Sequence, residues 1–402
     1  MMTYSQNISR LQPSATMAVS ALAKKLAAEG RDIIDLSAGE PDFDTPGWIS
    51  EAAIAGIHAG RTRYTPASGL PELRKAVARS LLLRAANGWE FTGENVVVSA
   101  GAKQALFNAC FALFGPGDDV LVASPYWTSY PEMVTLARAE PVFVTGPEER
   151  GFNLTLDDLE RVRTPATRGL ILCSPSNPSG AVYSLKELRD VARWAKKHDV
   201  WLISDEIYRW IYFSRDGGTA PSLLDLDRSD VGPFVLVDGV SKTFAMTGWR
   251  IGYSVCNAEL AEKIGALQSQ TTSNAATPSQ MGALAALTDT ERAEGAIGEM
   301  VAAFRRRKEL VVRRVGELLP HLSFVEPQGA FYLFLKVEAE YGDAIRNSQD
   351  WCARVLEETG VACVPGSAFG DDRFVRISFA TSDEKLEEAI RRLAGRRTAR
   401  SR

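Results

Sequence analysis

The chain has 402 residues, of which 45% are hydrophobic and 24% are charged, a composition typical of a soluble globular protein. Its formal net charge of −4 gives no reason to expect nucleic acid or an anionic membrane surface as a partner, and no uninterrupted apolar stretch reaches the length of a membrane span. The length predicts one large domain with a smaller one beside it.

The cysteines and histidines argue against two further kinds of site. Five cysteines are scattered without a C-x-x-C pair, so we interpret them as core residues in a reducing compartment, not as disulfides or metal ligands. Three histidines are equally dispersed and support neither a metal site nor a Ser-His-Asp triad. The N-terminal residues lack a charged region followed by an apolar core, so we expect no secretory signal and a cytoplasmic location.

Apolar runs and helical patterns alternate along most of the chain. Runs rich in Val, Ile and Leu predict buried strands at 33–36, 96–98, 120–123, 142–144, 170–173, 200–204 and 234–237. Helical spacing predicts helices at 14–29 with Ser14 as a capping residue, and at 47–59, 71–85, 102–114, 130–138, 157–162 and 185–198. A further helix is predicted after Tyr253 to about Gln270, and a small-polar loop at 271–274 then precedes a long helical region through Leu319. This alternation predicts an α/β fold whose mostly parallel sheet is covered by helices on both faces.

The two ends of the chain differ from this alternating region. Two prolines and a glycine exclude regular structure from the loop 37–46, so we place a first domain boundary near Pro46. A smaller α+β domain is predicted around three apolar segments, 330–336, 361–364 and 374–379. The predicted division is into an N-terminal segment, a large domain and a C-terminal small domain, at 1–46, 47–290 and 291–402.

A lysine follows closely on one predicted strand. The strand 234–237 ends in an Asp-Gly turn, Lys242 comes three residues after that turn, and Arg250 lies eight residues beyond the lysine. Lysine forms Schiff bases with carbonyl compounds when its pKa is depressed, and a nearby arginine both disfavours its protonation and binds anions such as phosphate. The alternative is a surface lysine and arginine that flank a turn.

Chemically useful side chains also follow the other predicted strands. Ligands of open α/β sheets collect at the carboxyl ends of the strands, where the free N–H groups of a helix N-terminus also bind phosphate. The residues at these ends are Gly101, Ala102, Lys103, Trp127, Asn177, Asp205, Tyr208, Ser241 and Lys242. A helix N-terminus for the phosphate, a tryptophan for stacking, a carboxylate for the ring nitrogen and a lysine for the aldehyde are what pyridoxal phosphate requires.

Each of these residues also has a simpler interpretation. Trp127 suits a core, Asp205 suits a helix cap, and Asn177 between two prolines suits a turn. The small residues at 101–102 also suit close packing. Their combination at successive strand ends is what favours a cofactor site.

The sequence resembles the fold-type I, pyridoxal-phosphate-dependent aminotransferases of class I, and among them the bacterial aspartate and prephenate aminotransferase branch. The most specific segments are SKTFAMTGWRIGY at 241–253 and SPSNPSG at 174–180. The resemblance extends from PSAT at 13–16 through GEPDFDTP at 39–46 to FVRIS at 374–378. It implies the fold of these transferases, in which the N-terminal segment joins the small domain and both close over the substrate.

The resemblance also implies roles for individual residues. Lys242 would bind the aldehyde of pyridoxal 5′-phosphate and move the proton of the substrate Cα, and Asp205 would keep the pyridine nitrogen protonated. Tyr208 and Asn177 would hydrogen-bond the ring hydroxyl, and Trp127 would stack on the ring. The residues around the phosphate would be Gly101, Ala102, Lys103, Ser241 and Arg250, with Tyr64 from the neighbouring subunit of a homodimer.

Substrate recognition is implied in the same way. Arg376 would bind the α-carboxylate in a bidentate pair, with Gly39, Trp127 and Asn177 beside it. Lys103 would bind the distal carboxylate of a dicarboxylic substrate; the alternative is a solvated lysine, although the helix dipole disfavours a cation in a first turn. We therefore expect transamination between L-aspartate and 2-oxoglutarate by a ping-pong mechanism in which the cofactor alternates between pyridoxal and pyridoxamine phosphate.

Other functions stay open from the sequence. The nearest is transamination of prephenate, an aromatic or an alanine-type substrate on the same fold, although Gln12 replaces the basic residue expected before PSAT in many relatives. A lyase or decarboxylase is a weaker hypothesis, because Arg376 and Lys103 would hold a dicarboxylic substrate in position for cleavage of its Cα–H bond. A ligand-sensing regulator with an aminotransferase-like domain would carry a DNA-binding region before the first family motif, where about a dozen residues stand. We expect no metal, nucleic-acid or membrane partner.

Overall fold

The computed structural model describes residues 4–13, 15–214 and 217–398, so the predicted cap Ser14 lies outside the described residues. The strands within them are β1 (Ile34–Asp35), β2 (Val96–Ser99), β3 (Asp119–Ser124), β4 (Glu140–Thr145), β5 (Thr167–Cys173), β6 (Trp201–Asp205), β7 (Phe234–Gly239), β8 (Gly252–Val255), β9 (Ser323–Val325), β10 (Tyr332–Lys336), β11 (Val361–Ala362), β12 (Val364–Pro365) and β13 (Phe374–Ser378). The helices are α1 (Gln6–Ser9), α2 (Ala15–Ala28), α3 (Gly47–His58), α4 (Pro71–Leu82), α5 (Ala102–Leu113), α6 (Tyr130–Leu136), α7 (Leu156–Val162), α8 (Leu185–Lys197), α9 (Val240–Thr243), α10 (Ala258–Thr271), α11 (Thr277–Thr288), α12 (Thr290–Leu318), α13 (Ser348–Thr359) and α14 (Asp383–Thr398).

Strands β2 to β8 form one seven-stranded sheet in the order β2-β8-β7-β6-β5-β3-β4. The neighbours from β7 to β4 run parallel, as predicted, whereas β8 is antiparallel to both β2 and β7. The prediction of a helix directly after Tyr253 is therefore wrong at its start, because β8 continues to Val255 and the helix begins at Ala258. A short apolar run in the sequence is compatible with either a helix or a strand. Here the run forms a strand because it is buried between β2 and β7.

Helices cover both faces of this sheet. Val97 and Ile171 pack in a core with α5, α6 and α10, whereas their neighbours Val98 and Leu170 pack in a second core with α3, α4, α8 and α11. Successive side chains of a strand point to opposite faces, so each strand contributes to both cores. This arrangement confirms the predicted α/β class. No described helix combines the length and apolarity that a membrane crossing needs.

A second body follows α11 and contains a four-stranded antiparallel sheet in the order β12-β13-β10-β9. Its core joins Phe304 of α12, Tyr332 of β10 and Leu386 of α14. The N-terminal segment reaches this body through β1, which pairs in parallel with β11 at Ile34 and Val361. The residues that follow the parallel strands face a cavity to which this second body contributes side chains from β10 and β13.

Candidate active site

A cavity of about 670 Å³ lies at the carboxyl ends of the parallel strands. The structure brings together on its wall most of the residues that the sequence predicts for the site, namely Gly39, Ala102, Lys103, Trp127, Asn177, Asp205, Tyr208, Ser241, Lys242, Arg250 and Arg376. Gly101 lies directly against the Arg250 guanidinium. Tyr64 does not belong to the cavity wall of the single chain, and its side chain is 91% exposed.

Lys242 lies in the short helix α9, directly after β7. Its Nζ donates a hydrogen bond to the carbonyl oxygen of Gly39 at 2.5 Å. Desolvation at the cavity wall lowers the pKa of the Lys242 ammonium to about 8; Glu40 counteracts this shift and the Arg250 guanidinium adds to it. A lysine in this state attacks carbonyl groups at mildly basic pH, because a useful fraction of its amine is neutral.

Asp205 ends β6 and is 3% exposed. Its Oδ2 accepts a hydrogen bond from Tyr130 Oη at 2.6 Å, and its Oδ1 accepts one from the Ile207 N–H at 3.2 Å. Burial raises the pKa of this carboxyl to about 6, and the two hydrogen bonds limit the rise. Sequence reasoning missed Tyr130; its spacing of three residues after Trp127, whose ring it meets edge-on at 5.4 Å, was the available signal.

A cradle of backbone N–H groups and one arginine forms another part of the wall. Gly101 has a φ of +87° and precedes the first residue of α5, and a Cβ at this position would overlap the Arg250 guanidinium. Arg250, itself with a φ of +56°, donates to the carbonyl oxygens of Thr247 at 2.9 Å and Ala100 at 3.2 Å. A helix N-terminus beside a guanidinium is suited to a phosphate group.

Arg376 extends from β13 and is 1% exposed. Its Nη1 donates to Asn177 Oδ1 at 2.9 Å and its Nη2 to the Ser37 carbonyl oxygen at 2.7 Å, so both partners are neutral. The guanidinium also lies 4.4 Å from the ring centre of Tyr332 and 5.0 Å from that of Phe369. A buried guanidinium whose hydrogen-bond partners are all neutral is prepared for an anion from outside the chain.

A pair of tyrosines adjoins this arginine. Tyr208 Oη lies 2.8 Å from Tyr332 Oη, and both side chains are buried. Tyr208 was predicted from its position after Asp205, whereas Tyr332 was not predicted. Tyr332 stands in an apolar strand of the second body, and that strand carries no sequence signal for a site.

Comparison with known proteins agrees with this geometry. The family model for aminotransferases of class I and II matches residues 31–393. The chain belongs to this aminotransferase family. It is 40% identical to a probable aspartate/prephenate aminotransferase of Aquifex aeolicus over 96% of each chain, and 41% identical to an aspartate/prephenate aminotransferase of Thermus thermophilus over 97% of each chain. Its fold matches that of the aspartate aminotransferase from Thermus thermophilus with maleate, at a TM-score of 0.91 and 40% identity over 98% of this chain and 100% of that chain.

The aminotransferase uses pyridoxal 5′-phosphate, as the resemblance implied, and its cavity wall fits this cofactor. The cradle at Gly101, which a Cβ would fill, leaves backbone and guanidinium donors for a phosphate. Lys242 offers an amine of lowered pKa for the aldehyde. Asp205, buried and held by two hydrogen bonds, matches a protonated ring nitrogen.

Lys103 lies in the first turn of α5 of the aminotransferase, where its side chain reaches the cavity wall and stays partly exposed to solvent. Burial lowers the pKa of its ammonium, and Arg250 lowers it further. Its Nζ lies 4.9 Å from the ring centre of Trp127, so an aromatic face offsets part of its charge. Helix α2 adds residues to the cavity wall that sequence reasoning missed, and these are Thr16, Met17, Ser20 and Lys24.

Among the residues that the structure describes, no cluster of three or more His, Cys, Asp or Glu side chains could hold a metal ion. The charged groups on the cavity wall are five cations and three carboxylates, namely Lys24, Lys103, Lys242, Arg250 and Arg376 with Asp35, Glu40 and Asp205. The wall is therefore organised for an anionic ligand.

Proposed function

We propose that this aminotransferase moves the amino group between L-aspartate and 2-oxoglutarate. The observation that carries the proposal is the presence of Arg376 and Lys103 on the wall of one cavity, where neither contacts a carboxylate among its described partners. Arg376 is a buried cation without a counterion, which is costly, and Lys103 stands against the helix dipole in the first turn of α5; a dicarboxylic substrate supplies one carboxylate for each. The names of the similar proteins support the same substrate class.

We infer that the cradle residues would hold the phosphate of the cofactor, and these are Gly101, Ala102, Lys103, Ser241 and Arg250, joined by Tyr64 of a second subunit. When bound, pyridoxal phosphate supplies an aldehyde that condenses with amines and a pyridine ring that withdraws electrons from the substrate Cα. Trp127 would cover the ring face, and Asn177 and Tyr208 would hydrogen-bond the ring hydroxyl. Asp205 would pair with the ring nitrogen, since its carboxylate is fixed by two donors.

Lys242 would be the acid–base group of the reaction. Its pKa of about 8 leaves part of the amine neutral near pH 7, so that Nζ accepts the proton of the substrate Cα and later returns it. The hydrogen bond from Nζ to the Gly39 carbonyl oxygen holds the lysine against the loop that would cover the substrate. Arg376 would fix the α-carboxylate during this transfer, and Asn177 orients its guanidinium.

An absorbance spectrum of the protein loaded with pyridoxal phosphate would test the function. We expect a visible band that aspartate discharges much more readily than phenylalanine or tyrosine does. Equal discharge by the aromatic amino acids would leave the chemistry intact and remove the dicarboxylate assignment. Absence of the band after cofactor addition would contradict the role of Lys242 and the function with it.

A second candidate acceptor is prephenate. The cavity wall extends to Met17 and Ser20 of α2, which offer contacts to an acceptor larger than 2-oxoglutarate, and the similar proteins named aspartate/prephenate aminotransferases support it. The protein is first discharged with aspartate, and either prephenate or 2-oxoglutarate is then added. Recovery of the visible band with 2-oxoglutarate alone would exclude prephenate.

We propose that the functional unit is a homodimer with shared active sites. Ile54 and Ile57 expose 53% and 48% of their surface and precede the exposed Tyr64 in the sequence, which supports an interface on this part of the chain. Sedimentation would give the mass of the particle. Mixing a Tyr64→Ala chain with a Lys242→Ala chain would test the sharing, because one site of the mixed dimer would recover both residues; an inactive mixed dimer would contradict it.

We propose that residues 1–46 and 291–402 act as one unit that closes on 47–290. The bidentate pair of Asp42 with Arg307, at 2.7 and 2.8 Å, and the edge-on contact of Phe43 with Phe304 support this division. Amide hydrogen exchange with and without succinate would test it. Protection gained by only one of the two parts would contradict a common movement.

We propose that the protein acts in the cytoplasm. The five cysteines are free thiols, a pattern that suits a reducing compartment. Cell fractionation would test the location, and activity recovered chiefly outside the cytoplasm would contradict it.

A further inference from the structure

We propose that Tyr332 is a positioning residue of this aminotransferase: its hydroxyl donates to Tyr208 Oη and thereby turns the single proton of Tyr208 towards the ring hydroxyl of the bound cofactor. The inference rests on the proposed function, in which Tyr208 faces that ring hydroxyl. Through Tyr332, the second body of the fold would therefore influence how tightly Lys242 Nζ holds its proton.

The geometry of the two phenols permits only one donor between them. Tyr332 begins β10, and its Oη lies 2.8 Å from Tyr208 Oη, with the two rings edge-on at 5.7 Å. Tyr332 is fully buried and Tyr208 is 4% exposed. Each hydroxyl carries one proton. The hydroxyl that donates uses its proton within the pair, and the hydroxyl that accepts can direct its own proton to another acceptor.

The charge of Arg376 decides the direction. Its guanidinium lies 4.4 Å from the ring centre of Tyr332 and so stabilises negative charge on that phenol. Burial raises the pKa of both phenols; at Tyr208 the neighbouring Tyr332 adds to the rise, whereas at Tyr332 the Arg376 guanidinium opposes it. The more acidic hydroxyl donates and the more basic oxygen accepts, so Tyr332 is the donor.

The surroundings leave one useful direction for the proton of Tyr208. Phe331 packs edge-on against its ring at 5.5 Å and offers no acceptor. The contact with Tyr332 is the side-chain hydrogen bond that Tyr208 makes among the described residues. Since Tyr208 lines the cavity, its proton points into it, where the oxygen of the cofactor ring would accept it.

A spectral titration of the loaded protein tests this assignment. Negative charge on the cofactor ring oxygen helps to keep a proton on Lys242 Nζ. A hydrogen bond from Tyr208 to that oxygen stabilises the charge and weakens this effect. It therefore lowers the pH at which half of the visible band is converted, which is called the midpoint below. We expect Tyr332→Phe to raise that midpoint by roughly half to one pH unit, because Tyr208 is no longer held as a donor. An unchanged midpoint would overturn the inference.

A double-mutant cycle separates a positioning role from a general loss of packing. Tyr208→Phe is expected to raise the midpoint on its own, and adding Tyr332→Phe to it is expected to give no further shift. A full additional shift in the Tyr208→Phe background would overturn the inference. Tyr183→Phe is the matched control, because its buried hydroxyl accepts from the Leu154 N–H at 2.9 Å and is expected to leave the midpoint unmoved.

A shape-conserving variant covers the case in which Tyr332→Phe does not fold. Fluorotyrosine at position 332 makes the donor more acidic, and we expect the midpoint to fall; a rise or no change would overturn the inference. A wild-type protein without a visible band would overturn the proposed function and this inference together. A normal wild-type band with unmoved variants would overturn only the role of Tyr332.

Discussion

Tyr130 Oη donates to Asp205 Oδ2 at 2.6 Å, and both side chains are almost completely buried. Tyr130 also meets the Trp127 ring edge-on, so one phenol connects the proposed stacking residue with the proposed partner of the ring nitrogen. Because both side chains are buried, a hydrogen bond to the carboxylate is strong there and its loss is correspondingly costly.

Removal of this phenol hydroxyl is expected to weaken catalysis in a pH-dependent manner. Tyr130→Phe takes away a hydrogen bond that lowers the pKa of Asp205, so the pKa rises above its value of about 6 and more of the carboxyl is neutral at pH 6–7. We expect kcat to fall roughly 10- to 100-fold, with the larger loss at the acidic end. Steady-state rates from pH 6 to 9 would measure it. Tyr126→Phe, in the loop between β3 and α6, is the control, and an equal loss in that variant would argue against a specific role.

The pKa of Lys242 predicts how attachment of the cofactor depends on pH. The neutral amine is the nucleophile, and desolvation has lowered its pKa to about 8, so the rate should rise with pH and level off above about pH 8. Stopped-flow absorbance after mixing the cofactor-free protein with pyridoxal phosphate would give the midpoint. A midpoint near the pKa of an ordinary lysine would show that the cavity does not depress it, and Lys242→Ala should give no visible band at any pH.

Lys103 is expected to control selectivity for dicarboxylates. Lys103→Met keeps the length of the side chain and removes its charge, so kcat/KM for aspartate should fall roughly 10- to 100-fold while that for alanine changes about twofold or less. The exposed Lys75→Met is the matched control. Equal losses for aspartate and alanine would assign Lys103 to the cofactor instead of the distal carboxylate.

Gly101 is expected to resist substitution because of both its backbone and its neighbour. At a φ of +87° and a ψ of 161° an added Cβ is strained by roughly 1–3 kcal/mol, and it would also push away the Arg250 guanidinium. Gly101→Ala should therefore raise the apparent Kd for pyridoxal phosphate about tenfold or more, measured by titration of the visible band. Gly115→Ala, whose Cβ would meet nothing within 4 Å, should leave the affinity unchanged, and a similar loss there would point to general destabilisation.

Several residues of the site were predictable because their signals are local. Asp205 and Lys242 each stand at or just beyond the end of an apolar strand, and a polar group at that point is visible in a window of about ten residues. The parallel sheet followed from the same runs, since strands buried on both faces have continuous apolar sequences. Strand β8 was the exception, because its short apolar run also suits the start of a helix and only its neighbours β2 and β7 decide the matter.

The sequence by itself determined the order of strands and helices, the family, and the strand ends that carry the predicted site. Only the tertiary structure decided which residues meet across the cavity. Tyr130 and Asp205 are 75 residues apart, Tyr208 and Tyr332 are 124 apart, and Asn177 and Arg376 are 199 apart. Local patterns reveal which face of an element is buried, whereas these pairs depend on how the second body packs against the carboxyl edge of the large sheet. That packing brings the hydroxyl of Tyr332 to the hydroxyl of Tyr208 and places the guanidinium of Arg376 over the ring of Tyr332.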